Sequence, residues 1–277
     1  MGTSQSKRDS KPGNPLIPPH ADRDPQPDGG NPAAPPPQQP PQPQQPPATP
    51  QPAPTTPTVP LGRFRGFRTS LGRFASTGDH GQARSALGQW ARSSGGSARV
   101  ARAVRTGGAL FGAISAAAAG VAATPDSAID IRALQGTPIA SAIDQIVDAF
   151  CPPGILDEEL ARIAIAQALD EALEGQVRFD VSAIDGNAVG IAVLAFVAEM
   201  VFVSVMGDAG RALANARSQV EAVAREADIR AITKNVTDFV GAPIVERLRA
   251  QGQITATAMS QLVAQLIDTV QAEMRTW

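Results

Sequence analysis

Apolar side chains recur at helical spacing through the second half of the chain. In the segment 139–150 they stand three or four positions apart, so they share one face of a helix. Thr137 and Pro138 just before it form a typical helix start, a capping hydroxyl followed by a proline. Further helices are predicted over about 82–105, 107–123, 156–174, 187–206, 208–240 and 255–274.

Glycine and proline divide the predicted helices. Ser93-Ser94-Gly95-Gly96 breaks the segment 82–105 in two, and Gly241-Ala242-Pro243 ends the long segment that begins near residue 208. Strand signals are weak, and residues 177–181 give the best short candidate. The pattern therefore predicts an all-α fold, a helical bundle of about five to seven helices.

The first 60 residues contain no apolar run that a core could bury or that a secretory signal would need. They hold twenty of the 25 prolines, mixed mainly with Gln, Ala and Thr. Burial of such a segment cannot repay the entropy lost on ordering it. We predict a long disordered Pro/Gln-rich N-terminal arm with polyproline II character, which leads to the bundle.

Charge separates the rest of the chain into two parts. Residues 61–106 hold nine arginines and a single acid, Asp79, whereas residues 107–277 hold eleven basic and twenty-one acidic side chains. The sequence thus predicts three parts: the arm 1–60, a basic Arg/Phe/Gly-rich segment 61–106 and an acidic helical domain 107–277. The basic segment either lies on its own acidic domain or faces an acidic partner.

Arginine, phenylalanine and glycine are interleaved at the start of the basic segment, where LGRF occurs at 61–64 and again at 71–74. Guanidinium groups neutralise phosphates and phenyl rings stack on bases, so nucleic acid is one possible partner. Docking on an acidic protein surface is the other. The candidate binding residues are Arg63, Phe64, Arg65, Phe67, Arg68, Arg73 and Phe74.

Familiar catalytic motifs are absent from the sequence. The two histidines, His20 and His80, lie outside the predicted bundle, and there is no zinc-protease, phosphate-loop or serine-hydrolase motif. The single cysteine, Cys151, excludes an internal disulfide framework and a cysteine-based zinc cluster. We predict a protein that is not an enzyme and that needs no cofactor or metal.

Two apolar stretches bear on the location of the protein. Residues 187–206 are nearly all apolar, but Glu199 lies among them and the length is marginal for crossing a bilayer. We predict the central buried helix of a cytoplasmic bundle, with membrane insertion as the alternative. In the Gly/Ala-rich stretch 107–123, Gly108 and Gly112 are four residues apart, which permits close helix contact.

Four segments occur in a characteristic order: Met1–Ser4, a Pro-rich arm containing Asn14–Pro19, the pair Gly62–Arg65 and Thr69–Phe74, and Arg105–Ala113. Taken together they resemble the family of B components of the bacterial Qat antiphage defence system. The resemblance spans about the first 120 residues. It implies an operon that also encodes an ATPase, an enzyme similar to 7-cyano-7-deazaguanine synthase and a TatD-like nuclease.

The resemblance also implies a role for the N-terminus. Removal of Met1 would expose the amine of Gly2, and the synthase-like enzyme would join a 7-deazaguanine group to it. Thr3 and Ser4 would form a small recognition tip, which the arm carries into the active site of that enzyme. From the residues alone, an unmodified start and N-myristoylation, for which Ser6 fits the pattern, remain alternatives.

Overall fold

The computed structural model describes residues 62–125, 127–152, 156–251 and 254–277, with the side chains of 156–158 and 248–251 left aside. These residues form eight α-helices and no β-strand, which confirms the predicted all-α class. The predictions for the arm lie outside the described residues. The helices are α1 (Arg65–Thr77), α2 (His80–Ser94), α3 (Ala101–Ala118), α4 (Ile139–Phe150), α5 (Leu156–Ala172), α6 (Gly186–Ala209), α7 (Gln219–Gln251) and α8 (Ala256–Met274).

Short polar residues and glycines set several helix ends. The side chains of Asp79, Asp185 and Thr255 accept backbone N–H groups at the starts of α2, α6 and α8. Gly78 and Gly95 end α1 and α2 in the left-handed conformation, with φ of 74° and 92°. The second of these ends lies within the break predicted at residues 93–96.

The apolar helix α6 occupies the middle of the bundle. It packs along its length against α5 and α7 and also touches α3 and α8. In the described part of the chain it alone is long and apolar enough to cross a membrane, and 72% of its apolar window is buried inside the structure. The segment 187–206 is thus a buried core helix, which is consistent with a soluble protein.

Glycines bring α3 and α8 into close contact. A Cβ atom placed on Gly108 would lie 2.7 Å from the Cα of Ser260, and one on Gly112 would lie 2.7 Å from the Cα of Ala256. Both distances are shorter than real Cβ contacts. The spacing of these two glycines therefore allows two helix backbones to touch, as the sequence indicated.

The basic segment folds into the same core as the rest of the described chain. Phe67, Phe74 and Trp90, from α1 and α2, are all buried in it. At the far end of α2, the Arg92 side chain donates a 2.6 Å hydrogen bond to the carbonyl of Arg275. Helices from both ends of the described chain therefore close against each other.

Two sequence predictions about α7 were wrong. The helix begins at Gln219 rather than near residue 208, and it continues past Gly241-Ala242-Pro243 to Gln251. Proline removes one backbone hydrogen bond, but the surrounding packing holds the helix together. Gly241 is buried against Leu194 of α6, and Ile244 and Val245 are buried directly after the proline.

The segment 177–181 is not a strand. It makes a single antiparallel bridge, between Pro138 and Arg178, and residues 181–183 turn into a short 3₁₀ helix. The same bridge occupies the backbone of Thr137, whose carbonyl accepts the N–H of Phe179 at 2.8 Å. Pro138, extended in this bridge, takes the N-cap position of α4, so the helix begins at Ile139 without a side-chain cap and Thr137 lies one residue too early to cap it.

Candidate functional site

The Arg/Phe segment folds into α1, which separates its apolar and basic residues. Phe67 and Phe74 point into the core and are 1% and 0% exposed, and Phe64 is half-buried. Arg65 and Arg73 are both exposed and lie eight positions apart, which places them about 80° from each other around the helix axis. Two turns of α1 thus present guanidinium groups to solvent, whereas the buried phenyl rings offer no free face to a partner.

Arg63, Arg68 and Arg99 make contacts within the domain. The Nε atom of Arg63 donates to the carbonyl of Ser93, and its guanidinium lies 5.4 Å from the ring centroid of Phe64. The Nε atom of Arg68 donates to the carbonyl of Asp208 at 2.8 Å. The guanidinium of Arg99 lies 5.5 Å from the same Phe64 ring. These contacts fix the start of α1 on the bundle.

Four other arginines of the basic segment have no partner among the described residues. Within the described chain no hydrogen bond, ion pair or ring contact involves the guanidinium groups of Arg65, Arg73, Arg84 and Arg105, which we call the four unpaired arginines. All four residues are exposed. The basic segment therefore lies on its own domain mainly through apolar packing, and a share of its positive charge remains available to an acidic partner.

Asp208, at the end of α6, organises a polar network that the sequence did not reveal. Its buried carboxylate accepts the indole N–H of Trp90 at 2.9 Å and the Nη2 group of Arg99, also at 2.9 Å. Hydrogen bonding to Asp208 raises the pKa of Arg99 above its ordinary value. An acidic residue after a long apolar run was the only sign of this network in the sequence. Its partners could not be predicted, because they lie more than 100 positions away.

The described residues do not assemble a recognisable catalytic centre. Among them there is no cluster of three or more His, Cys, Asp or Glu side chains that could hold a metal ion. His80 lies exposed at the start of α2, beside the ring of Phe74, and Cys151 is buried. Gly2, Thr3 and Ser4 lie outside the described residues, so their proposed roles stay predictions.

Comparison with known families decides the identity of the helical domain. The model for the Qat anti-phage system associated protein QatB matches residues 93–273, which is about two thirds of the chain. The chain belongs to the QatB family. No match was found among curated proteins or among solved structures.

The family match and the earlier resemblance overlap only between residue 93 and about residue 120. The matched region runs from the end of α2 nearly to the end of α8, and of the four resembling segments only Arg105–Ala113 lies within it. The match and the resemblance extend to opposite sides of this overlap, and both point to QatB. Membership makes the chain an antiphage defence component with operon partners, and QatB is not a known enzyme family.

Proposed function

We propose that this QatB family member is a non-enzymatic subunit of its defence complex and accepts a 7-deazaguanine group on the amine of Gly2. The synthase-like enzyme of the same operon supplies the group, and the ATPase and the TatD-like nuclease are the further partners. Membership of the QatB family is the observation that carries this proposal. The small side chains of Thr3 and Ser4 would add little bulk at the mouth of the enzyme's active site.

The reaction forms one amide bond. The lone pair of the Gly2 amine attacks the carboxyl carbon of an ATP-activated deazaguanine carboxylate. The activating group leaves with the electron pair of its bond, and the nitrogen releases one proton to solvent. An α-amine suits this step, since part of it is unprotonated near neutral pH.

The helical domain has the separate task of docking. If the 60-residue arm is as flexible as its sequence predicts, its root-mean-square reach is at least about 40 Å, and its tip would enter an active site while the domain stays bound elsewhere. The four unpaired arginines supply the charge for a protein surface rich in Asp and Glu. Arg65 and Arg73, which are both exposed on α1, are the first residues to test.

The mass of the N-terminal peptide tests the modification. The protein is produced alone and together with its neighbouring genes, and the increment on Gly2 is expected only in the second sample. Gly2→Pro should abolish it, whereas Gly30→Ala in the middle of the arm should not. An unmodified Gly2 in both samples would remove this mechanism.

Charge reversal tests the docking surface. Arg65→Glu with Arg73→Glu should reduce co-purification with the operon partners at least tenfold, without changing the modification chemistry itself. Arg217→Glu, an exposed arginine outside the basic segment, is the matched control.

A nucleic-acid-binding adaptor is the competing interpretation of the same arginines. It predicts binding of DNA or RNA that weakens steeply with salt and that the double variant loses. If the double variant keeps its protein partners and loses nucleic acid, the nucleic-acid interpretation replaces the docking one.

A further inference from the structure

An open groove lies where α2, α7 and α8 meet, and its walls carry both charged and aromatic side chains. Its volume is about 230 Å³. One face of α7 forms one wall, and α2 and the end of α8 with the residues after it form the other. The lining includes Arg84 of α2, Ile232, Asn235 and Phe239 of α7, Glu273 of α8, and Trp277. Three helices therefore build one surface of mixed polarity.

Two aromatic rings of this groove are open to a ligand. The side chain of Phe239 is 76% exposed, and it is the only exposed phenylalanine in the described part of the chain. Trp277 is half-buried and leaves part of its ring open. Ile232 and Trp277 also pack against the hydrophobic core, which holds the floor of the groove in place. Such rings are stabilised when a flat aromatic ligand stacks on them, because both apolar faces then leave water.

The charged side chains of the groove have opposite signs and do not pair with each other. Within the described chain neither the guanidinium of Arg84 nor the carboxylate of Glu273 takes part in a hydrogen bond or an ion pair. The side-chain amide of Asn235 has no partner there either. A complementary ligand therefore offers acceptors to the guanidinium and donors to the carboxylate, beside a flat apolar face.

Guanine is the common nucleic-acid base that meets all three requirements. Its O6 and N7 atoms are adjacent acceptors, which a guanidinium binds with two hydrogen bonds. Its ring N–H and its exocyclic amino group are adjacent donors, which suit the two oxygens of one carboxylate. Adenine and cytosine have an amino group beside a ring acceptor, and uracil has one N–H between two carbonyl groups. None of these three bases supplies two adjacent donors.

We propose that this groove binds the base of a free guanine nucleotide. Phe239 and Trp277 stack on the base, Glu273 accepts its two adjacent donors, and Arg84 and Asn235 donate to O6 and N7. Drug-sized sites usually measure about 300–1,000 Å³, so a groove of about 230 Å³ takes the base and leaves sugar and phosphate in solvent. The proposal rests on neither the modification of Gly2 nor docking through α1.

The lining also favours a free nucleotide over a nucleic-acid strand. Proteins that bind single strands combine a row of aromatic rings with a basic groove that follows the phosphates. Here both rings lie in one base-sized groove, and the carboxylate of Glu273 repels a phosphate backbone that passes through it.

Titration of the isotope-labelled full chain with guanosine monophosphate (GMP) tests the site through the indole N–H resonances. The chain has two tryptophans. The resonance of Trp277 should shift and saturate, whereas that of Trp90, which is buried and bonded to Asp208, should not. The adenosine, cytidine and uridine monophosphates carry the same phosphate and should bind at least about fivefold more weakly, since each bidentate pair discriminates against the wrong base.

Inosine monophosphate, which lacks the exocyclic amino group, tests the contact with Glu273. It should bind the wild type at least about fivefold more weakly than GMP. Glu273→Gln should weaken GMP and remove most of the difference between the two ligands, whereas Glu174→Gln, at an exposed position outside the groove, should do neither. A merely structural role of Glu273 would weaken both ligands equally.

Removal of the exposed ring tests the stacking. Phe239→Ala should weaken GMP at least about fivefold. Val220→Ala is the matched control, since Val220 lies on the same helix, is 80% exposed and is not part of the groove. The proposal is wrong if the Trp277 resonance stays in place at millimolar GMP, if all the nucleotides bind equally, or if the two variants bind alike. Binding of a guanine-containing single strand without binding of GMP would also overturn it and would assign the groove to nucleic acid.

Discussion

Replacement of Gly112 by alanine tests whether the α3–α8 contact is as close as the structure indicates. The new Cβ atom would lie 2.7 Å from the Cα and 2.8 Å from the N of Ala256, at the first residue of α8. These are backbone atoms, so no side chain can rotate away. The start of α8 would have to move by about 0.7 Å to reach the 3.4 Å at which ordinary contact begins.

Two effects of opposite sign set the size of the change. Alanine favours a helix over glycine by about 0.8–1.0 kcal/mol. Overpacking of a close contact costs about 1–3 kcal/mol. The cost at Gly112 should lie near the upper end of this range, because the new Cβ atom meets backbone atoms of Ala256. Gly112→Ala should therefore lower the free energy of unfolding by about 1–2 kcal/mol, and for a domain of this size lower Tm by about 2–8 °C.

Urea denaturation followed by circular dichroism measures this difference. Gly207→Ala is the matched control, since Gly207 also lies in a helix but nothing lies within 4 Å of its Cβ position. The control should be unchanged or more stable by up to about 1 kcal/mol. If Gly112→Ala is as stable as the control, α3 and α8 do not pack as closely as described.

Three further predictions concern buried groups. Asp208→Asn should destabilise the fold by about 1–3 kcal/mol, measured by urea denaturation, because Asn keeps the acceptor for Trp90 but loses the charge that pairs with Arg99. Glu199→Gln should stabilise the protein at neutral pH. Burial raises the pKa of Glu199 despite the favourable charge of Arg230. The free energy of unfolding of the wild type should therefore fall as pH rises from the ordinary pKa to the raised pKa of this group. The Gln variant has no group that titrates there, so its stability should not change over this pH range. Cys151 should react with a thiol reagent only after unfolding, measured by absorbance, since its side chain is buried.

Exposed residues of the same types provide the controls. Asp144→Asn on α4 and Glu174→Gln after α5 remove a charge from open positions and should change stability by less than about 0.5 kcal/mol. A loss for Asp144→Asn equal to that for Asp208→Asn would contradict the role of the buried network. A stability–pH slope that survives Glu199→Gln would assign the slope to another group. Rapid labelling of the folded protein at Cys151 would contradict its burial.

Helix-forming segments could be predicted from the sequence wherever one face is apolar. The core face of α4 and the glycine pair at 108 and 112 both follow from local spacing. The continuation of α7 through Pro243 could not be predicted, because it depends on packing against α6. The prediction that Thr137 caps α4 was wrong because Pro138 pairs with Arg178, 40 positions away, and takes the N-cap position itself. At both helix ends, contacts with residues distant in sequence override the preferences of the local sequence.

The candidate site was predictable only in part. Counting charges located the basic segment. The sequence of α1 did not show which of its arginines and phenylalanines are exposed, because that depends on the helices against which α1 packs. The polar network at Asp208 was not predictable, because its partners Trp90 and Arg99 lie more than 100 positions away in sequence. The family match and the resemblance give no structure for the arm, and the role of Gly2 stays a prediction.

The closure of α2 against the end of α8 has a consequence for synthesis on the ribosome. Arg92 and its acceptor, the carbonyl of Arg275, are 183 residues apart, and Ser94 bonds to Gln271 across a similar separation. At a translation rate of about 5–20 residues per second, the end of α8 that contacts α2 is synthesised roughly 10–40 s after α2 itself. During that interval α2 lacks its bonds to Arg275 and Gln271, so the domain completes its fold only after α8 has been synthesised.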